Sequence, residues 1–202
     1  MRPAAIRALL ERPDPAQLAG FGPDGPAVDR EVIDRYLDTA AGNGALRAVG
    51  LRARLRISPL GVVLAVKGRA SVADAGVSTR MELEAPATAD LDPSRWPASA
   101  GRALVTETIG GGALVEIAAV RQERRVRNVR RGSSVVELSL DRLTALGVAG
   151  EELATRLELE AELKAGPAGA LEELAGALAS VDGLAPPLGS KLEFALAARR
   201  EP

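Results

Sequence analysis

The 202-residue sequence contains neither cysteine nor histidine. Without cysteine there is no disulfide framework and no thiolate metal site. Without histidine there is no Ser-His or Cys-His nucleophilic pair and no imidazole ligand. Any chemistry must therefore run on carboxylates, lysine, arginine, serine, threonine and the single tyrosine. Aromatic residues make up only 2% of the chain, so a core drawn from its 47% hydrophobic residues must be mostly Leu, Val and Ala. No apolar run is long enough to span a bilayer, and Glu11 and Asp14 stand where a signal peptide would be apolar. We expect a soluble, cytoplasmic protein with no membrane contact. A basic excess is also missing: the net charge is -1, which argues against general nucleic-acid binding.

What the sequence does have is charge at every second position. In Arg156-Leu157-Glu158-Leu159-Glu160-Ala161-Glu162-Leu163-Lys164 three carboxylates alternate with small or apolar residues. As a strand this stretch would set Glu158, Glu160 and Glu162 on one face and the leucines on the other. A row of acids on one sheet face calls for a cation, and a divalent metal held by oxygen ligands is the usual one. The composition alone favours a helix, since Glu, Leu, Ala and Lys are good helix formers and Leu153, Leu157 and Ala161 recur at helical spacing.

Other stretches alternate too. Glu31–Asp38 reads as a strand. Arg52, Arg54 and Arg56 point one way, and the turn Ser58-Pro59-Leu60-Gly61 leads to a return strand, Val62–Arg69, with Lys67 and Arg69 on one face. Arg80, Glu82 and Glu84 share a face in a short strand, Ser78–Glu84, that should end at Pro86. Arg121, Glu123, Arg125 and Arg127 share a parity, within a region, 113–128, expected to hold two strands. Glu137, Ser139 and Asp141 alternate in the strand 135–141, followed by a Leu-rich turn, 142–150. Helices are expected over residues 3–11 and from Pro167, where Leu171, Leu174 and Leu178 recur at helical spacing. A Trp96-bearing linker should run to Gly101. Gly110-Gly111-Gly112 lacks the following Gly-Lys-Ser/Thr of a phosphate loop and reads as a flexible turn.

Basic and acidic rows fall on different strands, whereas a merely solvated surface would intersperse the signs. A barrel with apolar outer faces covered by helices and a charged lumen explains the segregation. About eight strands leave room for one small ligand, and a polyanion that brings divalent metal would suit both kinds of wall.

This pattern resembles the CYTH domain, the triphosphate tunnel metalloenzymes, which include inorganic and thiamine triphosphatases and class IV adenylyl cyclases. The resemblance runs from about Glu31 to Leu196. It rests on Tyr36-Leu37-Asp38-Thr39, Arg54 and Arg56, Val66-Lys67-Gly68, and Arg80-Met81-Glu82-Leu83-Glu84. It continues in Glu137-Leu138-Ser139-Leu140-Asp141-Arg142-Leu143, Leu157-Glu158-Leu159-Glu160 and Ser190-Lys191. It implies an α+β fold: an antiparallel β-barrel, the triphosphate tunnel, with helices packed outside. Residues 1–30 would be an N-terminal helix and a Gly/Pro-rich connection, and residues 31–198 the tunnel domain. Residues 157–163 would then be strand, because tertiary context overrides propensity. By the same resemblance Arg54, Arg56, Lys67, Arg80, Arg121 and Lys191 would hold a triphosphate or polyphosphate. Glu82, Glu84, Asp141, Glu158 and Glu160 would hold Mg²⁺ or Mn²⁺ for in-line attack of water. Tyr36 would serve packing. The family's first strand, Glu-x-Glu-x-Lys, has no counterpart in this sequence. The resemblance therefore implies either a closed tunnel or one opened by that missing strand, with metal binding and turnover suffering most. The rivals are a non-catalytic triphosphate-binding module, an adenylyl cyclase (which the scarcity of aromatics disfavours) and a charged β-domain that binds a protein.

Overall fold

A computed structural model of the chain describes residues 3–40, 44–69, 71–72, 78–181, 183–185 and 189–200. Residues 41–43, within the turn expected after Thr39, lie outside the described residues. In chain order the elements are α1 (Pro3–Glu11), β1 (Gly22–Pro23), β2 (Val28–Thr39), α2 (Ala45–Ala48), β3 (Arg52–Ser58), β4 (Gly61–Lys67), β5 (Ser71–Val72), β6 (Ser78–Thr79) and β7 (Glu82–Ala87). A 3₁₀ turn, Pro93–Arg95, leads to α3 (Ala100–Ile109). Then come β8 (Leu114–Arg131), β9 (Ser134–Leu146), β10 (Glu152–Ala165), α4 (Ala168–Ala179) and α5 (Lys191–Ala198).

All pairings are antiparallel. One sheet runs β10-β9-β8-β2-β3-β4-β7, and β1 continues the lane of β2 along β8. Strands β5 and β6 form a separate ribbon. Among the described residues β7 and β10 each pair on one side only, so the paired strands form an open path.

The pairing corrects several expected boundaries. β8 is one 18-residue strand and not two, because β2 and β9 pair with it along nearly its whole length. β9 runs through the stretch expected to turn, and only residues 147–151 separate it from β10. β7 starts at Glu82 and continues through Pro86. Proline is tolerated there because β7 pairs on one side only. Residues 157–163 are strand and 168–179 helix, so pairing with β9 outweighs the helical composition of β10.

Turn chemistry places the strand ends. Gly132, with φ 57, starts the two-residue connection from Arg131 to Ser134, a backbone that tight hairpins need and that glycine adopts without strain. The buried Asp38 takes backbone N–H bonds from Leu46 and Arg47 at the start of α2 and the Arg47 side chain at 2.9 Å. Any side chain on Gly44 would collide with that carboxylate. In α3, which the proline-rich approach concealed, Ser99 caps the first turn. Gly101 lets this helix lie against Leu64, Val66 and Leu83.

Helices cover both faces. α1 and α4 pack on β8–β10 around Leu10, Val129, Leu138 and Leu174. α2 and α3, with Trp96, cover the same face of β2–β4 and β7 around Leu55, Leu64 and Val105. Truncating the fully buried Leu174 to alanine should cost about 3 kcal/mol. The expectation of helices only on the outside fails at α5. Its Leu192, Ala195 and Ala198 pack on Tyr36, Val120, Leu143 and Ala145, which point to the opposite face. We call this the inner face. Arg52 of β3 reaches α5 at Glu193, and Arg156 of β10 reaches it at Phe194, so the sheet holds this helix from two sides. No helix among the described residues is long and apolar enough to cross a membrane.

Candidate functional site

Strand register decides which charged side chains meet, because residues opposite each other in an antiparallel pair share a face. Arg56 lies opposite Asp34, Arg54 opposite Tyr36, and Arg52 opposite Lys67. Lys67 lies opposite Glu82, and Ala65 opposite Glu84. On the other flank Val32 faces Gln122, and Arg124 faces Asp141. Asp141 faces Glu158, and Ser139 faces Glu160. The inner face therefore gathers Arg54, Arg56, Lys67, Glu82, Glu84, Asp141, Glu158 and Glu160, and α5 brings Lys191 to them.

Two expected phosphate ligands lie elsewhere. Arg121 lies opposite Ile33 and pairs with Glu152 on the outer face. Gln122 and Arg124, which the charge pattern passed over, are the inner-face residues of β8. The misreading came from density: Arg121, Glu123, Arg125 and Arg127 look like a row, but the first three form ion pairs on the outside with Glu152, Arg142 and Asp29. Arg127 instead donates to the carbonyls of Leu10 and Glu11 at the end of α1. Arg80 precedes β7 and is exposed at one end of the inner face. Its charge still acts on Lys67 and Glu82.

The inner face holds two linked charge centres. In the first, the fully buried Asp34 accepts from Arg54 at 2.7 Å and from Arg56 at 2.8 and 2.9 Å. Burial would raise this carboxyl, yet Arg54 and Arg56 hold it down at about 2. Tyr36 beside it is pushed up to about 12 by burial and by the Asp34 charge, so it stays a neutral packing residue. Among the described residues the Arg54 Nε is buried without a partner, an orphaned donor of the kind that ligand oxygens satisfy.

In the second centre Asp141 accepts from Lys191 at 2.6 Å, from Arg124 at 2.9 Å, and from the Ser139 hydroxyl. Burial pushes Asp141 up, but Lys191 and Arg124 bring it below the ordinary range. Lys191 also donates to Glu160 at 3.1 Å. Gln122 joins the two centres: its amide NH₂ donates to Asp34, and its carbonyl accepts from Lys191 at 2.8 Å. The capping box between Ser190 and Glu193 fixes the start of α5 and so aims Lys191.

Outside these centres Lys67 pairs with Glu82 at 2.7 Å. Its ammonium is lowered first by burial and then by Arg54. Glu158 is raised by burial, although Arg156 pairs with it.

The expected metal ligands do not fit a divalent ion as they stand. Glu82 and Glu84 sit on β7, at the opposite end of the strand order from Asp141, Glu158 and Glu160 on β9 and β10. Glu82, Asp141, Glu158 and Glu160 each pair with a lysine or arginine. Among the described residues no group of three or more acidic side chains is set to hold a metal. Arg54, Arg56, Arg124 and Lys191 supply donors of the kind that suit an anion, each of them engaged here by Asp34, Asp141 or Glu160.

Sequence comparison is silent: no protein-family model matches this chain, and no curated protein sequence does. Structure comparison is not. HpAC1 from Hippeastrum, described as an adenylyl cyclase candidate with a dominant triphosphatase activity, aligns over 95% of this chain and 94% of its own. The TM-score is 0.64 at 21% identity. A protein of Bacillus halodurans described as an adenylate cyclase candidate gives a TM-score of 0.56 at 14% identity, over 96% of this chain and 91% of its own. The PH1819 protein of Pyrococcus horikoshii OT3 gives 0.52 at 19% identity, over 91% and 92%. The chain has the fold of these proteins.

Proposed function

We propose that the inner face grips the phosphate chain of a triphosphate, and that the protein is a hydrolase of the triphosphatase type. Two lines support the reading: the likeness in fold to HpAC1, described as having triphosphatase activity, and the residues of the two charge centres. The single observation that carries it is the trio of buried Arg54, buried Asp34 and half-buried Arg56, with the Arg54 Nε unpartnered among the described residues. Arg54, Arg56 and Lys67 line one wall, and Lys191 and Arg124 the other. A phosphate chain between them would replace carboxylate oxygens with phosphate oxygens, to which the planar guanidinium fork is well matched.

Hydrolysis in this reading needs Mg²⁺ or Mn²⁺, and Glu82, Glu84, Asp141, Glu158 and Glu160 are the residues that would hold it. In this reading cations and acids start paired with each other, and either ligand displaces one partner of those pairs. A second reading, a triphosphate-binding module without turnover, is favoured by the pairing of four of these five acids with cations.

The test is calorimetry with tripolyphosphate, paired with phosphate-release assays with and without Mg²⁺ and Mn²⁺. Expected is salt-sensitive binding without metal, weakened about tenfold by Arg56→Ala or Lys67→Ala, and slow release that depends on added metal. Binding without any release would favour the second reading. Absence of tripolyphosphate binding, or binding by both variants as tight as by wild type, would sink the proposal.

A further inference from the structure

Beyond Arg52, at one end of the inner face, lies a pocket of about 580 Å³ that the site above does not use. Arg47, Arg52, Arg69 and Arg80 line it, with Glu193 as its one acid among the described residues. The pocket continues the phosphate wall. Arg56, Arg54 and Arg52 alternate along β3, a row about 13 Å long, and Arg52 stands opposite Lys67. Among the described residues its charge is largely uncompensated. Arg47 is held by Asp38 at 2.9 Å, but Arg52 meets Glu193 only at 3.6 Å with both side chains well exposed. Among the described residues neither Arg69 nor Arg80 has a carboxylate within ion-pair distance. Gly50 lets the Arg69 side chain lie flat across the loop, since a Cβ there would come within 2.3 Å of its Nε.

What the pocket lacks is equally informative. The four aromatic residues of the chain are Phe21, Tyr36, Trp96 and Phe194. Phe21 and Trp96 are buried under the outer helices. Tyr36 is buried under α5, and the Phe194 ring sits beneath Arg156 at 4.7 Å. None lines the pocket, so a nucleobase or other ring would find no stacking platform.

We propose that this pocket takes additional phosphates, which makes the preferred ligand a linear inorganic polyphosphate longer than three phosphates and not an organic triphosphate. The inference rests on the reading that the inner face holds a phosphate chain. Arg52 and Arg69 set the preference, with Arg80 at the rim.

Calorimetry decides it with three probes: tripolyphosphate, ATP, and a size-fractionated linear polyphosphate several times longer. They are titrated into wild type and the double variant Arg52→Gln, Arg69→Gln, with thermal melts to show that the variant is folded. Wild type should bind the longer chain about tenfold more tightly than tripolyphosphate, and ATP no better than tripolyphosphate. Part of any gain is statistical, because a long chain offers many registers. That part survives in the double variant, which should lose about fivefold on the longer chain and less than about twofold on tripolyphosphate. Tighter binding of ATP than of the longer chain, or an equal loss for all three probes in the variant, overturns the inference and leaves the triphosphate reading standing. Failure of every probe to bind overturns both.

Discussion

Strand β8 carries arginines on both of its faces, and the two sets live under different rules. On the outer face Arg121 and Arg125 pair with Glu152 and Asp29, carboxylates that are more than half exposed. Such pairs sit in high dielectric, are screened by salt and contribute little. On the inner face, three residues along from Arg121, Arg124 lies 12% exposed against an Asp141 that is fully buried. There the charges were taken out of water, and removing one partner strands the other. The sequence spacing is the same on both faces. What differs is the cover at this point of the strand: α5 packs on the inner face at Val120, whereas α1 and α4 pack on the outer face around Val129, beyond Arg121 and Arg125.

The sharpest way to break this contrast is Asp34→Ala. It leaves the buried Arg54 and the half-buried Arg56 beside each other without their shared carboxylate, at a cost of about 4 kcal/mol, read as the midpoint shift in urea unfolding. Tripolyphosphate should recover part of that loss, and failure to do so would separate the trio from anion binding.

Acid should probe the same residue less severely. The folded carboxyl at about 2 lies below its unfolded value of about 3.9, so the native state prefers the ionised form. The associated stability, about 2.5 kcal/mol, is present above pH 4 and disappears as pH falls toward 2. Asp34→Asn should flatten the stability profile in that window, and an unchanged profile would contradict the assignment.

Lys191→Met should cost about 2 kcal/mol through hydrogen bonds lost to Asp141, Glu160 and Gln122, with the Asp141 carboxyl moving upward by NMR titration. The smallest effect is expected for Arg121→Gln: no measurable change in melting temperature and none in tripolyphosphate binding. A loss of binding there would invert the two faces.

This contrast also explains what could be read in advance. The inner-face positions of β3 and β4 were legible because short strands with strict alternation leave only one choice of which residues share a face. On β8 both parities carry arginine, and the choice depends on where α5 docks, which no local pattern records. Asp34 gave only a weak signal, one acid between Ile33 and Arg35. Its importance comes from two arginines some twenty residues away and a glutamine 88 residues away. The strand at 157–163 contradicts its own helical composition, and only the resemblance pointed to it. Helix α3 was hidden because Pro93 and Pro97 read as linker, although Ser99 and Gly110 mark its two ends.

The bond from Gln122 to Asp34 has a consequence for how the molecule assembles. Strands β3–β4 and β8–β9–β10 are local meanders that close over short loops. The seam between β2 and β8 joins residues 86 apart, as at Asp34 and Val120. Loop-closure entropy and contact order make that seam the demanding step of folding. The two charge centres lie on opposite sides of it and meet only once it has zipped. No isolated meander holds a complete site, so the appearance of anion binding during refolding should report the docking of the two halves, later than the appearance of β-structure.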